Sequence, residues 1–258
     1  MRAILFNITK VFAKEFATMS AYAPFSKTRL LATLAVVAGM FLWALPSAAE
    51  TIAVIGTGNV GGALGPQFAK LGHTVIYGSR EPQRADVQEL VARTAHNASA
   101  MRPADAARNA EVVVIAVKWD DAEVAVKSLG DLSGKIILDP TNAVRLDEQG
   151  IRHHAVETSA GQMIQGWAPG AKVVKAFNTL GAGTMTDPAS AGGPMTIPIV
   201  GDDAQAKAFV AGLARGMGFD AVDMGGIEFA HALEQMLIVR GNAGVLGTPF
   251  NYYFRPVP

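Results

Sequence analysis

Two apolar rhythms alternate along the chain from residue 51 onward. Short runs rich in β-branched residues occupy 51–55 (TIAVI), 74–77 (TVIY), 112–117 (VVVIAV), 135–138 (KIIL) and 172–176 (KVVKA). Runs of this length, apolar on both sides of the pleat, are expected of strands buried on both faces of a parallel sheet. Between them the apolar spacing turns helical. Val60, Ala63, Leu64, Phe68 and Leu71 mark one helix that stops near Gly72. Residues 85–94 mark another, and 120–129 a third, with Asp120 or Asp121 expected near its N-cap. Residues 97–110 are small and polar, with helical spacing in their second half. Strands alternating with helices predict an α/β fold built on a doubly wound parallel sheet.

The pattern continues past a loop at 181–193 that is rich in Gly, Ala, Ser and Thr. A strand is expected at 196–200, a helix at 203–217, a strand at 219–222 and a helix at 228–246, where Phe229, Leu233, Met236, Leu237 and Val239 recur at helical spacing. This is a small C-terminal α/β extension ending in a helix. Asn251, Tyr252, Tyr253 and Phe254 close it, an aromatic tail suited to covering a cleft or packing against a second copy in a homodimer. The expected division is therefore a leader at 1–49, a dinucleotide-binding domain at 50–180 and an extension at 181–258.

The first strand runs into Gly56, Thr57, Gly58, Asn59, Val60 and Gly61, a G-x-G-x-x-G that opens the first helix. Gly56 permits the tight turn, Gly58 lets a pyrophosphate approach the backbone, and Gly61 lets helix and strand pack closely. The phosphates would sit on the free N–H groups at the positive end of the helix. An NAD site wants an acidic side chain at the end of the second strand. Here that position carries Gly78, Ser79 and Arg80, with Arg84 following and Glu81 as the nearest acid. A hydroxyl and a guanidinium fork suit a 2′-phosphate, so NADP(H) is the expected cofactor. Other polar residues fall at carboxyl ends of predicted strands, where such folds hold their ligands: Thr141, Asn142, Lys175, Asn178 and Thr179.

Composition narrows the partners. The 258 residues are 50% hydrophobic with a formal net charge of zero, which gives nucleic acid no global electrostatic attraction. No cysteine is present, so disulfides, thiolate ligands and a cysteine nucleophile are excluded. Near the N-terminus, Lys27 and Arg29 precede an uncharged apolar run at 30–45 and then Pro46, Ser47, Ala48 and Ala49. Basic, apolar and small-residue segments in that order read as a signal peptide, with an uncleaved membrane anchor as the alternative. The expected location is accordingly exported (periplasmic or secreted) or membrane-anchored, and cytoplasmic if the leader is non-functional.

The GTGNVGG turn, the GSR that follows, DPTN after a later strand, VVKAFNTLGA and PIVGDDAQAK together resemble the NADPH-dependent reductases of the deazaflavin coenzyme F420. Their first domain is similar to the Rossmann domain of pyrroline-5-carboxylate reductases. The likeness covers residues 51–246, and the chain departs from the family pattern in its leader and at Lys118, where relatives commonly carry proline. The resemblance implies hydride transfer between NADPH and a deazaflavin, flavin or similar small-molecule acceptor, with no metal and no nucleophile. It places Thr57, Asn59 and Val60 on the pyrophosphate; Ser79, Arg80 and Arg84 on the 2′-phosphate; and Val117 and Lys118 beside the cofactor. Asn142, Lys175 and Asn178 would orient the acceptor. A non-catalytic NADP-binding or redox-sensing module and an imine reductase of the pyrroline-carboxylate type are the alternatives.

Other groupings read as structural. His153 and His154 are adjacent, so on an extended chain they point to opposite faces and suit an exposed loop better than a metal site. His231 and Glu234 share a helix face and read as a surface or interface pair. No G-x-S-x-G elbow is present, which disfavours a serine hydrolase.

Overall fold

The computed structural model describes residues 49–94 and 97–255. The leader expected at 1–49 falls almost wholly outside them. Among the described residues no helix is long and apolar enough to cross a membrane.

The chain begins with β1 (Thr51–Ile55), α1 (Asn59–Lys70) and β2 (Thr74–Gly78), followed by α2 (Ala85–Thr94), β3 (Ala98–Met101) and α3 (Pro103–Arg108). Next come β4 (Val112–Ile115), α4 (Trp119–Lys127) and β5 (Ile136–Asp139). A small hairpin of β6 (Val144–Leu146) and β7 (Arg152–His154) leads to α5 (Ala160–Trp167) and β8 (Lys172–Lys175). The rest is α6 (Ala182–Thr186), β9 (Thr196–Gly201), α7 (Ala204–Gly216), β10 (Asp220–Asp223) and α8 (Ala230–Val245).

Eight strands form one sheet in the order β10-β9-β8-β5-β4-β1-β2-β3. Every neighbour pairs in parallel except β8 and β9, which pair antiparallel. The C-terminal extension therefore continues the central sheet. Because β9 runs backwards, Val200 pairs with Lys175 near its own end, and the start of β9 lies on the carboxyl side of β8. The tail reaches that side too: Thr196 N donates to the Tyr252 carbonyl at 3.0 Å, and Phe254 N to Thr196 Oγ1 at 2.9 Å.

The apolar runs are continuous because both faces are covered. Ile52, Val54, Val112 and Val114 pack into a core with Leu64, Phe68 and Val210. Ala53, Ile55, Val113 and Ile115 pack into a second with Ile164, Ile227 and Leu233. Helix α1 carries Pro66, which has no N–H for the carbonyl of Gly62. The Arg93 guanidinium approaches that carbonyl instead, at 3.4 Å.

Tyr77 ties β2 to α2 through a buried hydroxyl, which donates to Thr94 Oγ1 at 2.7 Å while Thr94 donates to the Leu90 carbonyl. Burial pushes the phenol up to about 12, against the opposing Thr94 bond. A raised phenol keeps its proton in the fold after the unfolded chain has lost it. Stability is thus complete below about pH 10 and falls as pH rises toward 12. Urea titrations should show a shallower alkaline decline in Tyr77→Phe, by up to about 2–3 kcal/mol.

Several expectations at the element level are corrected. The strand expected over 112–117 ends at Ile115, leaving Val117 in the loop beyond it. Helix α4 starts at Trp119, one residue earlier than expected, with Lys118 at the N-cap and no side-chain cap bond, so Asp120 and Asp121 sit in its first turn. Residues 97–110 contain a short edge strand before their helix, and the 181–193 loop contains α6. His153 and His154 lie in β7, paired with Arg145 and Val144.

Candidate functional site

The carboxyl ends of β1 and β2 frame a cleft of about 540 Å³ lined by Gly56, Thr57, Ser79, Arg80, Arg84 and Val117, among others. Gly56 has φ of +107°, and a Cβ there would collide with the Ala116 carbonyl. Its N–H donates to the Gly78 carbonyl at 3.1 Å, which ties the turn to β2. At Gly61 a Cβ would collide with the Gly56 carbonyl, so the helix start is pressed against the turn. Gly58 differs: a Cβ there meets nothing within 4 Å. Gly58 is the N-cap of α1, with no side-chain cap bond and no acid in the first turn. Free N–H groups, a positive helix end and open space are what a pyrophosphate requires.

This separates two kinds of glycine by experiment. Gly58→Val should leave the melting temperature of the free protein within about 2 °C, since the branch enters open space, yet abolish NADPH binding. Calorimetry and a fluorescence titration on one preparation check both halves.

At the end of β2 the Ser79 N–H donates to the Met101 carbonyl at 3.0 Å, and its hydroxyl accepts from Glu81 N at 3.2 Å. The hydroxyl hydrogen remains available to a phosphate oxygen. Arg80 is exposed and, among the described residues, forms no ion pair. Arg84 is engaged with Asp86 at 2.5 Å, so it reaches a phosphate only by giving up that carboxylate. Glu81 lines the same cleft.

The cleft brings together Gly56, Thr57, Ser79, Arg80, Arg84 and Val117. Gly58, Asn59, Val60 and Gly61 stand at the head of α1 beside it, while Lys118 is exposed at the start of α4. Sequence reasoning missed Pro103, Asp121, Val124, Ala125 and Ser128, which also line the cleft. Helical spacing places Asp121, Val124, Ala125 and Ser128 on one face of α4, but nothing local says which face meets the cleft.

The second group lies at the ends of β5 and β8. Phe177 adopts φ of +62°, in the left-handed region that a bulky side chain rarely occupies. That turn buries its ring and delivers Asn178 to Asn142. Asn178 Nδ2 donates to Asn142 Oδ1 at 3.0 Å and to the Leu233 carbonyl at 2.9 Å, and Asn142 Nδ2 donates to the Asn178 carbonyl at 3.1 Å. Asn142 is half-buried and Asn178 almost fully buried.

Lys175 is corrected from an acceptor-orienting residue. It is 0% exposed, and its Nζ lies 2.7 Å from Asp139 Oδ2, 2.8 Å from the Thr141 carbonyl and 3.2 Å from Glu234 Oε1. Burial disfavours the ammonium, but Asp139 and then Glu234 outweigh it and hold its pKa above the ordinary lysine value. The pair of His231 and Glu234 is corrected as well: Glu234 is fully buried and faces Lys175 and His154.

Residues 51–143 match the model of a family described as NADP oxidoreductase, coenzyme F420-dependent. A crystal structure from Arthrobacter sp. FB24, provisionally named an F420-dependent NADP-reductase, is 35% identical and superposes with a TM-score of 0.73. The match covers 81% of this chain and 100% of that one. The chain belongs to the coenzyme F420-dependent NADP oxidoreductase family. The F420-dependent NADP reductase of Methanothermobacter thermautotrophicus is 29% identical over 200 residues, 72% of this chain and 85% of that protein. The metalloreductase STEAP3 of Rattus norvegicus is 27% identical over 191 residues, 74% of this chain. The chain spans only 37% of the length of that relative. Membership makes the chain an NADP-dependent oxidoreductase, and a glycine turn beside the Ser79 hydroxyl and the Arg80 guanidinium fits its cofactor.

Proposed function

We propose that the chain transfers hydride between NADPH and a deazaflavin of the F420 type, with a flavin as the next acceptor in order of preference. The observation that carries the cofactor half is the wall of Ser79 and Arg80 at the end of β2, where an NAD site would place a carboxylate. The acceptor half rests on the family and on relatives bearing that name.

NADPH, when bound, supplies the hydride; the chain supplies binding, orientation and exclusion of water. The N–H groups at the start of α1 and the turn from Gly56 to Gly61 hold the pyrophosphate. Ser79 donates to the 2′-phosphate and Arg80 neutralises it, with Arg84 released from Asp86 as a second cation. Val117 gives the ring an apolar wall. Asn142, locked to the buried Asn178, presents its amide at the strand end. Holding two rings in contact converts a bimolecular step into a unimolecular one, which is the main contribution such a site can make.

The test follows NADPH absorbance at 340 nm with reduced-cofactor consumption scored against F420, flavin mononucleotide and a soluble quinone. Rapid oxidation with F420, slower with the flavin, is the expected result. Tight NADPH binding with none of the three reduced overturns the acceptor assignment and leaves the cofactor assignment standing.

A further inference from the structure

The cluster around Lys175 is sealed from solvent, and the cleft at β1 and β2 does not use it. Besides Lys175, Glu234 of α8 holds two other groups: its Oε2 lies 2.9 Å from His154 Nε2 and accepts the Ala143 N–H at 3.3 Å. The other ring nitrogen of His154, Nδ1, lies 2.6 Å from the Val156 carbonyl. The ring therefore bridges the Val156 carbonyl and the Glu234 carboxylate. His231, whose ring centroid is 4.3 Å away, donates from Nδ1 to the Thr158 carbonyl and accepts from Gln235 at 3.1 Å. Lys175 stands between the carboxylates of Asp139 and Glu234, and His154 lies against the second of them, so the buried charges are paired.

What the cluster grips is the backbone on either side of Asn142. Lys175 holds the carbonyl of Thr141, the residue before it. Glu234 holds the N–H of Ala143, the residue after it. The Asn142 side chain is closed by exchange with Asn178, and Asn178 is tied to Leu233, the neighbour of Glu234. Among Thr141, Asn142, Ala143, Lys175, Asn178, Leu233 and Glu234, Asn142 alone is half-exposed. Its Nδ2 keeps one hydrogen after the bond to Asn178, since the second contact, to the Pro140 carbonyl, is a long 3.5 Å. In a doubly wound sheet the two halves of a dinucleotide lie on either side of the point where strand order reverses. With the 2′-phosphate end over β1 and β2, the nicotinamide half lies toward β4 and β5, where Asn142 stands.

We infer that Glu234 and His154 are positioning residues for the nicotinamide end: they fix Asn142 so that its free amide N–H meets the carboxamide of the bound ring. The inference rests on the NADP reading of the cleft. It gives α8 and the β6–β7 hairpin a role in the reaction although neither lines the cleft.

The test compares the full chain with His154→Phe, His154→Gln and Asn142→Ala, using NADPH affinity and the emission of bound NADPH, which reports how rigidly its nicotinamide is held. In His154→Phe the dissociation constant should stay within about threefold, because the distant phosphate contacts are untouched. The emission gain on binding should be mostly lost, and turnover with F420 should fall about tenfold or more. His154→Gln, whose amide can still donate to Glu234, should recover at least half of the emission. Asn142→Ala, a change at a half-exposed residue that leaves the buried charges paired, should reproduce the emission loss in a folded protein, with the melting temperature lowered by only a few degrees for the two bonds taken from Asn178. Wild-type emission in Asn142→Ala, or in a folded His154→Phe, overturns the inference. A wild-type chain that binds no NADPH overturns the cofactor reading together with it.

Discussion

Arg80→Glu should lower NADPH affinity by about two powers of ten while NADH affinity stays level or rises. The guanidinium is exposed, without an ion-pair partner among the described residues, and lines the cleft beside the buried Ser79. Charge-assisted hydrogen bonds to a phosphate contribute about 1.5–3 kcal/mol, and a carboxylate in the same place adds repulsion, so a loss of about 3 kcal/mol is expected. That is about a hundredfold in the dissociation constant. NADH has a 2′-hydroxyl there, which a glutamate accepts from readily. Equal losses for both cofactors would mean that Arg80 supports the turn and does not read the 2′-phosphate.

Lys175→Met should cost about 3–5 kcal/mol of folding stability, because it leaves the buried carboxylates of Asp139 and Glu234 without their cation. For a domain of this size the melting temperature falls by about 10 °C or more. The wild-type pair also sets a sign with pH. A lysine whose folded pKa is raised stabilises fully below its ordinary value of 10.5, and that contribution fades only as pH climbs through the raised value. Adding Asp139→Asn to Lys175→Met should restore part of the loss, since one uncompensated charge is removed with its partner. A Lys175→Met protein as stable as the wild type would show that the cluster is hydrated in solution.

The contrast between these two residues shows what a sequence can and cannot disclose. Arg80 was legible because its meaning is local: a glycine turn, a helix and a second strand at fixed spacing place its side chain at one end of a cleft. The buried strands were legible for a similar reason, as unbroken apolar runs such as VVVI at β4, covered on both faces. Lys175 has no such local sign. Its partners come from 36 residues upstream and from α8 near the end of the chain, so a charged residue that reads as a strand end in water is wholly buried. His154 and Glu234, 80 residues apart, were likewise invisible as a pair. The β6–β7 hairpin has three-residue strands, too short for a period to emerge. The reversal at β9 is a matter of direction, which strand propensity does not encode.

The most direct test of the central claim is a titration of the full chain with NADPH and with NADH under one buffer and salt condition. The geometry at Ser79 and Arg80 predicts one site per chain and NADPH affinity at least about fiftyfold above that for NADH. Equal affinities, or no binding of either cofactor, would contradict it.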